Sequence, residues 1–363
     1  MKFRCERDVL VEALGTVGRA TSGRSGALPV LAGVQIELAG STLRLLGTDL
    51  ELTIVQLVEV AGEADGVAVL PARLATDVVR ALEPGAVTVS VADDAAEISA
   101  GRSQFSLRTI PAADFPRPSE PTGEAVVLPA KELAQALRQV VPAASSDDSR
   151  PVLTGVLLAA EGSGVRLVAT DSYRLAVRDL PGTNVLSEGQ QVLLPSRALA
   201  ELTRLLAGAD ELTLRLGERD ASFEVGKSRL TTRVIEGDFP NYRSLIPSSH
   251  PNRLSVGRGE FLDAVRRVRL LARESTPVRL EMRADGLDLR AITQDIGQAH
   301  ETLDARYEGE DLTVAFNPEY LLDGLEVTPA DEVTLDTLDA RNPAVLRGSS
   351  DDFLYLLMPV RVS

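Results

Sequence analysis

A sequence motif that occurs three times at nearly equal spacing limits this chain to folds built from repeated domains. The segment LPVLAGV at 28–34 returns as RPVLTGV at 150–156 and, more faintly, as TPVRL at 276–280. The prolines of these segments lie 122 and then 126 residues apart. In a chain of 363 residues this period predicts three copies of one domain, which we place at 1–120, 125–247 and 251–363.

A shorter repeat lies inside the longer one. The segment LPAR at 70–73 is followed by Arg80, and LPAK at 128–131 and LPSR at 194–197 lead in the same way to Arg138 and Arg204. The prolines of this shorter repeat are 58 and then 66 residues apart, about half the domain period. Each domain is therefore expected to consist of two related halves that carry one helix each.

Apolar residues after each Leu-Pro pair recur at helical spacing. The predicted buried stripes are Leu74, Val78 and Leu82; Leu133, Leu137 and Val141; and Leu199, Leu202 and Leu206. Proline is expected in the first helical turn, where its missing N–H has no partner to lose. Further helices are predicted at about 7–20, at 259–273 and from Asn317-Pro318, and most of the remainder alternates like strands. Two helices packed on antiparallel sheets, repeated three times, make an α+β fold.

Basic residues seven positions apart share one face of a helix, because seven residues turn about 20° away from two full turns. Such pairs are Arg73 with Arg80, Lys131 with Arg138, Arg197 with Arg204, and Arg266 with Arg273. One pair alone would be an ordinary solvated helix face. Their recurrence at the same position of a repeat favours a basic surface that attracts phosphates without reading bases. The helix after Asn317 is an exception, since Glu319, Asp323 and Glu326 make it acidic.

Composition narrows the functional classes. The net charge of −15 argues against nucleic-acid binding over the whole surface, but it does not exclude a local basic face. Cys5 is the only cysteine and His250 and His300 are the only histidines, which leaves few candidates for a metal centre or a catalytic triad. We expect no cofactor, no metal and no catalytic residue. No apolar run reaches membrane-spanning length, so a cytoplasmic protein without a membrane partner is expected.

Several segments together resemble one family. They are GRSQFSL at 101–107, ATDSYRLAV at 169–177, DFPNYR at 238–243 and MPVR at 358–361. With them the whole chain is similar to the bacterial DNA polymerase III beta subunit, the sliding clamp. The resemblance implies a non-catalytic subunit that encircles duplex DNA as a head-to-tail homodimer, with each chain forming half of a pseudo-sixfold ring of clamp domains.

The resemblance also implies three surfaces. The residues expected to face DNA are Arg24, Arg73, Arg80, Lys131, Arg138, Arg150, Arg197, Arg204, Arg266 and Arg273. The lining expected for a partner-peptide cleft is Leu153, Thr170, Ser172, Tyr173, Arg174, Leu175, Pro240, Leu245, Met358, Pro359, Val360 and Arg361. The dimer interface is expected to contain Phe105 on one side and Leu270 and Leu271 on the other.

The resemblance implies several partners. They are a second copy of the chain, duplex DNA without sequence preference, the replicative polymerase subunit, the clamp loader and repair polymerases. The last three are expected to bind through short peptide motifs.

Two alternatives for the function stay open. One is a clamp-like paralogue with a specialised partner. The other is a hydrolase that uses a carboxylate pair such as Asp93-Asp94 or Asp351-Asp352. The GKS segment at 226–228 lacks the glycine spacing of a phosphate-binding loop.

Overall fold

The structure is a computed structural model that describes residues 1–22, 28–118, 120–272 and 276–361. The α-helices of this part are α1 (Arg7–Gly18), α2 (Ala72–Ala81), α3 (Ala130–Val140), α4 (Ser196–Leu205), α5 (Arg258–Val268) and α6 (Pro318–Val327). The strands are β1 (Lys2–Glu6), β2 (Gly33–Ala39), β3 (Thr42–Thr48), β4 (Leu52–Glu59), β5 (Ala61–Ala64), β6 (Gly66–Pro71), β7 (Ala86–Ala92), β8 (Ala95–Ala100), β9 (Ser103–Arg108), β10 (Ala125–Pro129), β11 (Gly155–Glu161), β12 (Gly164–Thr170), β13 (Arg174–Leu180), β14 (Gln191–Pro195), β15 (Glu211–Leu216), β16 (Asp220–Val225), β17 (Ser228–Arg233), β18 (Asn252–Gly257), β19 (Val278–Arg283), β20 (Gly286–Thr293), β21 (Gly297–Leu303), β22 (Ala305–Glu308), β23 (Leu312–Phe316), β24 (Glu332–Thr337), β25 (Ala344–Arg347) and β26 (Phe353–Leu357).

The chain forms two compact units. The first unit contains residues 1–131 and 201–234, and the second contains residues 132–200 and 235–363. The first unit has a five-stranded sheet in the order β5-β1-β7-β8-β9 and an eight-stranded sheet in the order β10-β15-β16-β17-β4-β3-β2-β6. The second has a nine-stranded sheet in the order β14-β11-β12-β13-β26-β25-β24-β18-β22 and a four-stranded sheet in the order β21-β20-β19-β23. Neighbouring strands are antiparallel, as the alternating sequence predicts.

The middle copy of the repeat is divided between the two units because its sheets continue into both neighbouring copies. In the first unit β17 pairs with β4, with Leu230 opposite Ile54. In the second unit β13 pairs with β26, with Ala176 opposite Tyr355. Sheet pairing therefore crosses from one copy of the repeat to the next.

The helices begin where the Leu-Pro repeats predict them, but the prolines do not lie in the first helical turn. Pro71, Pro129 and Pro195 are the last residues of β6, β10 and β14, and the helices start at the next residue. At these positions proline terminates a strand and needs no N–H for the following helix. The acidic helix α6 does have its proline in the first turn, and the Asn317 side chain caps it by accepting the Glu319 N–H at 2.9 Å.

Of the stripe predicted for α2, only Leu82 at the end of the helix is fully buried, whereas the stripe predicted for α4 is confirmed. Leu74 is 47% exposed, and α2 instead buries the small residues Ala72, Ala75 and Val79. Small side chains allow this helix to lie close to the sheet, which leaves the larger leucine in solvent. On α4, Leu199 and Leu202 are buried as predicted.

A tight turn recurs in the first and second copies of the repeat. At Thr48-Asp49-Leu50, the Thr48 hydroxyl accepts the Leu50 N–H at 3.1 Å and Asp49 accepts the Leu52 N–H at 2.8 Å. At Thr170-Asp171-Ser172, the Thr170 hydroxyl accepts the Ser172 N–H at 3.1 Å and Asp171 accepts the Tyr173 N–H at 2.8 Å. Leu50 and Ser172 have positive φ angles of 80° and 82°, a conformation that is costly outside glycine. Two matching turns of this kind confirm that the sequence repeat is a structural repeat.

Both units pack apolar cores against these turns. The core of the first unit includes Leu46, Val55 and Phe115, and that of the second includes Val168, Leu175 and Tyr242. Among the described residues, no helix is both long and apolar enough to cross a membrane.

Candidate functional site

The second unit brings most of the predicted peptide-cleft residues to one place. β13 pairs with β26, so Arg174 lies opposite Leu357, and the Met358 N–H donates to the Tyr173 carbonyl at 2.8 Å. This hydrogen bond connects the end of the 169–177 segment to the beginning of the 358–361 segment. Two motifs that are far apart in sequence therefore share one surface.

This surface has an apolar floor and an exposed rim. Leu175 is fully buried in the core cluster, and Met358 packs partly exposed against that cluster. Leu153 and Thr170 are also buried, so they support the floor from below. The predicted lining residues with exposed side chains are Ser172, Tyr173, Pro240, Leu245, Val360 and Arg361. An aromatic ring and an exposed leucine beside a methionine are typical of surfaces that bind short peptides.

Arg174, one of the predicted lining residues, has several partners within the chain. Its Nε donates to Asp171 at 3.0 Å, and its Nη1 donates to Asp323 on α6 and to the Tyr355 hydroxyl at 3.3 Å. The guanidinium also lies 4.4 Å from the centre of the Tyr320 ring. With only 11% of its side chain exposed, Arg174 joins β13, β26 and α6 and holds the rim of the surface in place.

The ionisation of this cluster follows from burial and charge. Burial by itself would lower the pKa of the Arg174 guanidinium, but the Tyr355 hydroxyl and the Asp323 carboxylate outweigh it and raise that pKa. Burial raises the pKa of the Tyr355 phenol in turn, against the opposing charge of Arg174. Arg174 therefore stays charged and Tyr355 stays neutral across the physiological range.

Tyr320 and Asp323 were missed by sequence reasoning. Tyr320 stacks on Tyr173 with ring centres 6.4 Å apart, which extends the exposed aromatic surface. Both residues lie on α6, and Asp323 is 149 positions from Arg174 in the chain. The acidity of α6 was the only available signal, and its partner could not be identified from spacing.

The DFPNYR segment closes another side of this surface. The Arg243 guanidinium lies 5.4 Å from the centre of the Tyr242 ring and donates to Glu161 at 2.5 Å. The bond from Arg243 keeps the pKa of the Glu161 carboxyl below its usual range. These contacts fix the segment that presents Pro240 and Leu245.

The predicted basic pairs are exposed, but many have acidic neighbours. Arg73 and Arg80 on α2 both lie near Asp77, at 3.9 and 3.4 Å. Arg204 on α4 pairs with Glu201, which Arg19 also contacts at 2.6 Å. The sequence-based prediction counted the basic residues and did not include the acids within one helical turn of them, Asp77 and Glu201.

Helix α3 presents the clearest cationic face. Lys131 and Arg138 are both exposed. Among the described residues neither has an ion-pair partner within 4.0 Å. Arg197 on α4 is also exposed and completes the set of three helices after Leu-Pro segments. Arg150, by contrast, pairs with Asp147 at 3.1 Å and donates to the Ser172 hydroxyl at 3.3 Å, so it lies at the turn that precedes Tyr173.

Arginines on α5 and in the turn that follows it are paired with glutamates. Arg266 pairs with Glu326 at 2.9 Å, Arg267 with Glu301 at 2.6 Å and Arg269 with Glu319 at 2.5 Å. Two of these glutamates lie on α6, which explains why that helix is acidic. The α-helix also ends at Val268, before the predicted 273, and Arg269–Leu271 form a 3₁₀ turn whose last carbonyl accepts a bond from the Thr293 hydroxyl. The helix is therefore shorter than predicted, and Arg273, the second member of the predicted pair, lies outside the described residues.

The predicted dimer residues are available for contact. Phe105 is 40% exposed on β9, an edge strand of the first unit. Leu270 is 81% exposed in the 3₁₀ turn of the second unit, and Leu271 beside it is half-buried. Arg24 and Arg273, both predicted to face DNA, lie outside the described residues.

Comparison with known proteins covers the whole chain. Residues 1–119, 127–241 and 243–361 match the N-terminal, central and C-terminal domains of the DNA polymerase III beta subunit. Over the full length of both proteins, the chain is 37% identical to the beta sliding clamp of Streptomyces coelicolor and 32% identical to that of Vibrio cholerae. Among solved structures, the sliding clamp of Pseudomonas aeruginosa bound to griselimycin superposes with a TM-score of 0.90 at 30% identity, and that of Bacillus subtilis with 0.90 at 29%, each over 100% of both chains.

Proposed function

Because the chain belongs to the DNA polymerase III beta subunit family, the beta sliding clamps, we propose that two copies close head to tail into a ring around duplex DNA and tether the replicative polymerase to it. Beta subunits are non-catalytic processivity factors, so this chain is not an enzyme. The hydrolase alternative has no support. The observation that carries the proposal is the match of all three family domains along one chain whose repeats each place exposed basic residues on a helix.

The basic helix faces support contact with the DNA backbone. Lys131 and Arg138 on α3 have no ion pair with a carboxylate among the described residues. The arginines at positions 73, 80 and 204 each form an ion pair with a nearby acid. The pairs of Arg73 and Arg80 with Asp77 are exposed and therefore weak, so a phosphate can replace that carboxylate at little cost. The resulting contacts are shallow and do not depend on sequence. A ring that slides needs contacts of this strength, because tight phosphate contacts would oppose movement.

The edge strands and the exposed leucine support the head-to-tail dimer. β9 and β21 are each at the edge of a sheet, and Phe105 and Leu270 lie on or near them. Unpaired edges and exposed apolar side chains are features that a second copy of the chain would cover. In a heterologous contact one copy contributes Phe105 and the other contributes Leu270 and Leu271, and two such contacts close a ring.

The surface around Tyr173 and Met358 supports binding of partner peptides. It combines an apolar floor, the stacked rings of Tyr173 and Tyr320, and a rim fixed by Arg174. We assign to this cleft the replicative polymerase subunit, the clamp loader and repair polymerases, each through a short linear motif. A cytoplasmic location fits these partners.

The ring is tested by comparing salt sensitivity on two DNA substrates. The cognate loader places the protein on nicked circular plasmid, and direct binding to a short linear duplex is measured in parallel. Raising the salt concentration is expected to abolish linear binding, because counterion release weakens phosphate contacts. Retention on the circle should persist until the plasmid is linearised, because a closed ring leaves only at an end. Equal salt sensitivity on both substrates would contradict the ring.

The peptide cleft is tested by truncation. Removing residues 358–363 deletes Met358 and the exposed Val360 and Arg361 while leaving Phe105 and Leu270 in place. Binding of a labelled polymerase-derived peptide should be lost in fluorescence anisotropy, and the mass in light scattering should remain that of a dimer. Unchanged peptide affinity would show that the cleft is assigned to the wrong surface.

A further inference from the structure

A surface pocket of about 500 Å³ lies beside the C-terminal segment of the second unit. It is formed by β19, β23, the loop after β24 and the residues that follow β26. Its lining is Arg279, Thr313, Ala315, Ala340, Arg341, Val360 and Arg361. The lining thus contains three arginines and no carboxylate.

Backbone pairing builds this pocket. Arg279 on β19 lies directly opposite Ala315 on β23. The Val360 N–H donates to the Ala315 carbonyl at 2.7 Å and holds the C-terminal segment against the same strand. Arg341 enters from the loop, where its own N–H donates to the Asp339 carboxylate at 2.7 Å. Three separate segments therefore direct a guanidinium toward one space.

The acids nearest to this pocket have other partners. Glu281, two residues after Arg279 on β19, pairs with Arg283 at 2.8 Å and with Arg290 at 3.2 Å. Asp339 accepts the N–H groups of Arg341 and Asn342, and these bonds lower the pKa of its carboxyl. Asp339 offsets part of the charge of Arg341, but it lies outside the lining.

The positive charge of the three arginines is therefore not balanced by neighbouring carboxylates. Among the described residues, Arg279, Arg341 and Arg361 have no ion-pair partner within 4.0 Å. Arg279 also lies directly opposite Arg290 in the ladder between β19 and β20. Like charges at directly opposite positions destabilise a sheet, and of these two arginines only Arg290 pairs with Glu281. A bound anion would relieve this repulsion.

We propose that this pocket, which we name the arginine pocket, binds acidic side chains that flank a partner peptide in the adjacent cleft. Val360 and Arg361 belong both to the predicted cleft and to the arginine pocket, so a peptide that extends past them enters it. The proposal rests on the peptide cleft of the proposed function. Guanidinium groups bind carboxylates through paired hydrogen bonds, and a concave pocket with Ala315 and Val360 in its wall fits side chains better than a duplex backbone.

The first experiment uses fluorescein-labelled hexaglutamate as the probe for the full-length protein. Arg279→Gln and Arg341→Gln are each expected to weaken its binding about three- to tenfold in anisotropy titrations at low salt. Arg306→Gln is the matched control, because it removes one exposed arginine that pairs with Glu332 on another strand. Hexaglutamate affinities that are equal in the pocket variants and the control would overturn the proposal.

The second experiment separates the arginine pocket from the cleft. A polymerase-derived peptide is extended with three glutamates or three glutamines, at either end. The glutamate version should bind more tightly at one end, and Arg279→Gln should remove this advantage while the affinity of the glutamine version stays unchanged. If no extended peptide binds, but hexaglutamate still depends on Arg279, the cleft assignment fails and the acidic-peptide pocket is supported. An equal loss of binding to short duplex DNA in the pocket variants would overturn the proposal in favour of a phosphate site.

Discussion

At the scale of single residues, sequence identified Arg174 but not its partners. The family resemblance of the 169–177 segment placed Arg174 in the lining of a peptide cleft. The structure surrounds its guanidinium with Asp171, Asp323 and the Tyr320 ring. Two of these three lie on α6, and no local pattern connects residues so far apart in the chain. The type of a site residue was predictable, whereas its bonding depended on long-range packing.

Arg174 pairs with the carboxylates of Asp171 and Asp323, and removing each is expected to lower the free energy of unfolding by a different amount. Asp171 is buried and also accepts the backbone N–H groups of Tyr173 and Arg174. Asp171→Ala should therefore lower the free energy of unfolding by about 2–3 kcal/mol, since it leaves buried donors unpaired. Asp323→Ala removes a partly exposed carboxylate while Asp171 still pairs with Arg174, and should cost less than about 1 kcal/mol. Urea denaturation measures both values, and equal costs would contradict this assignment.

At the scale of elements, helix positions were more predictable than helix faces. Each predicted helix exists, because apolar periodicity and proline punctuation act locally. The buried face of α2 was predicted only in part. Leu82 is buried as expected, but the rest of that face consists of alanines, a threonine and a valine, while the more hydrophobic Leu74 remains in solvent. The acidic character of α6 was correct as a pattern but had no explanation until Glu319 and Glu326 were found opposite the arginines of the neighbouring helix.

Two glycines in helices, Gly15 in α1 and Gly324 in α6, are expected to respond oppositely to replacement by alanine, because their surroundings differ. A Cβ at Gly324 would lie 2.6 Å from the Tyr355 ring, whereas a Cβ at Gly15 in α1 meets nothing within 4 Å. Gly15→Ala should raise the free energy of unfolding by about 0.5–1 kcal/mol, because alanine loses less backbone entropy in a helix. Gly324→Ala should lower it by about 1–3 kcal/mol through overpacking against Tyr355. Thermal unfolding of the two variants checks the signs, and stabilisation by both would contradict the packing of α6 on β26.

At the scale of the whole molecule, the repeat predicted the building block but not how the blocks join. A sequence period reports that domains are copies, and the matched turns at Thr48 and Thr170 follow from it. Strand pairing between copies leaves no periodic signal, because it depends on which edge strands meet. The continuous sheets that join neighbouring copies through β17–β4 and β13–β26 were therefore not predicted.

The assembly predicts that one exposed leucine controls dimerisation. Leu270→Asp places a charge in the proposed contact and should weaken the dimer at least about tenfold, since a central apolar anchor carries much of the energy of an interface. Val127→Asp is the matched control, because Val127 is 59% exposed on β10, a strand that contains none of the predicted dimer residues. Sedimentation equilibrium should give two chains per particle for the control and a shift toward monomer for the leucine variant. A monomeric control or a dimeric Leu270→Asp protein would contradict the proposed contact.

The strand pairs β17–β4 and β13–β26 have a consequence for how this protein can be divided. A fragment that ends between the first and second copies would bare the backbone N–H and C=O groups of β4, and one that begins at the third copy would bare those of β26. Such open edges recruit other chains into intermolecular sheets. A single copy of the repeat is therefore expected to aggregate when it is produced alone. The three copies should fold reliably only as parts of one chain.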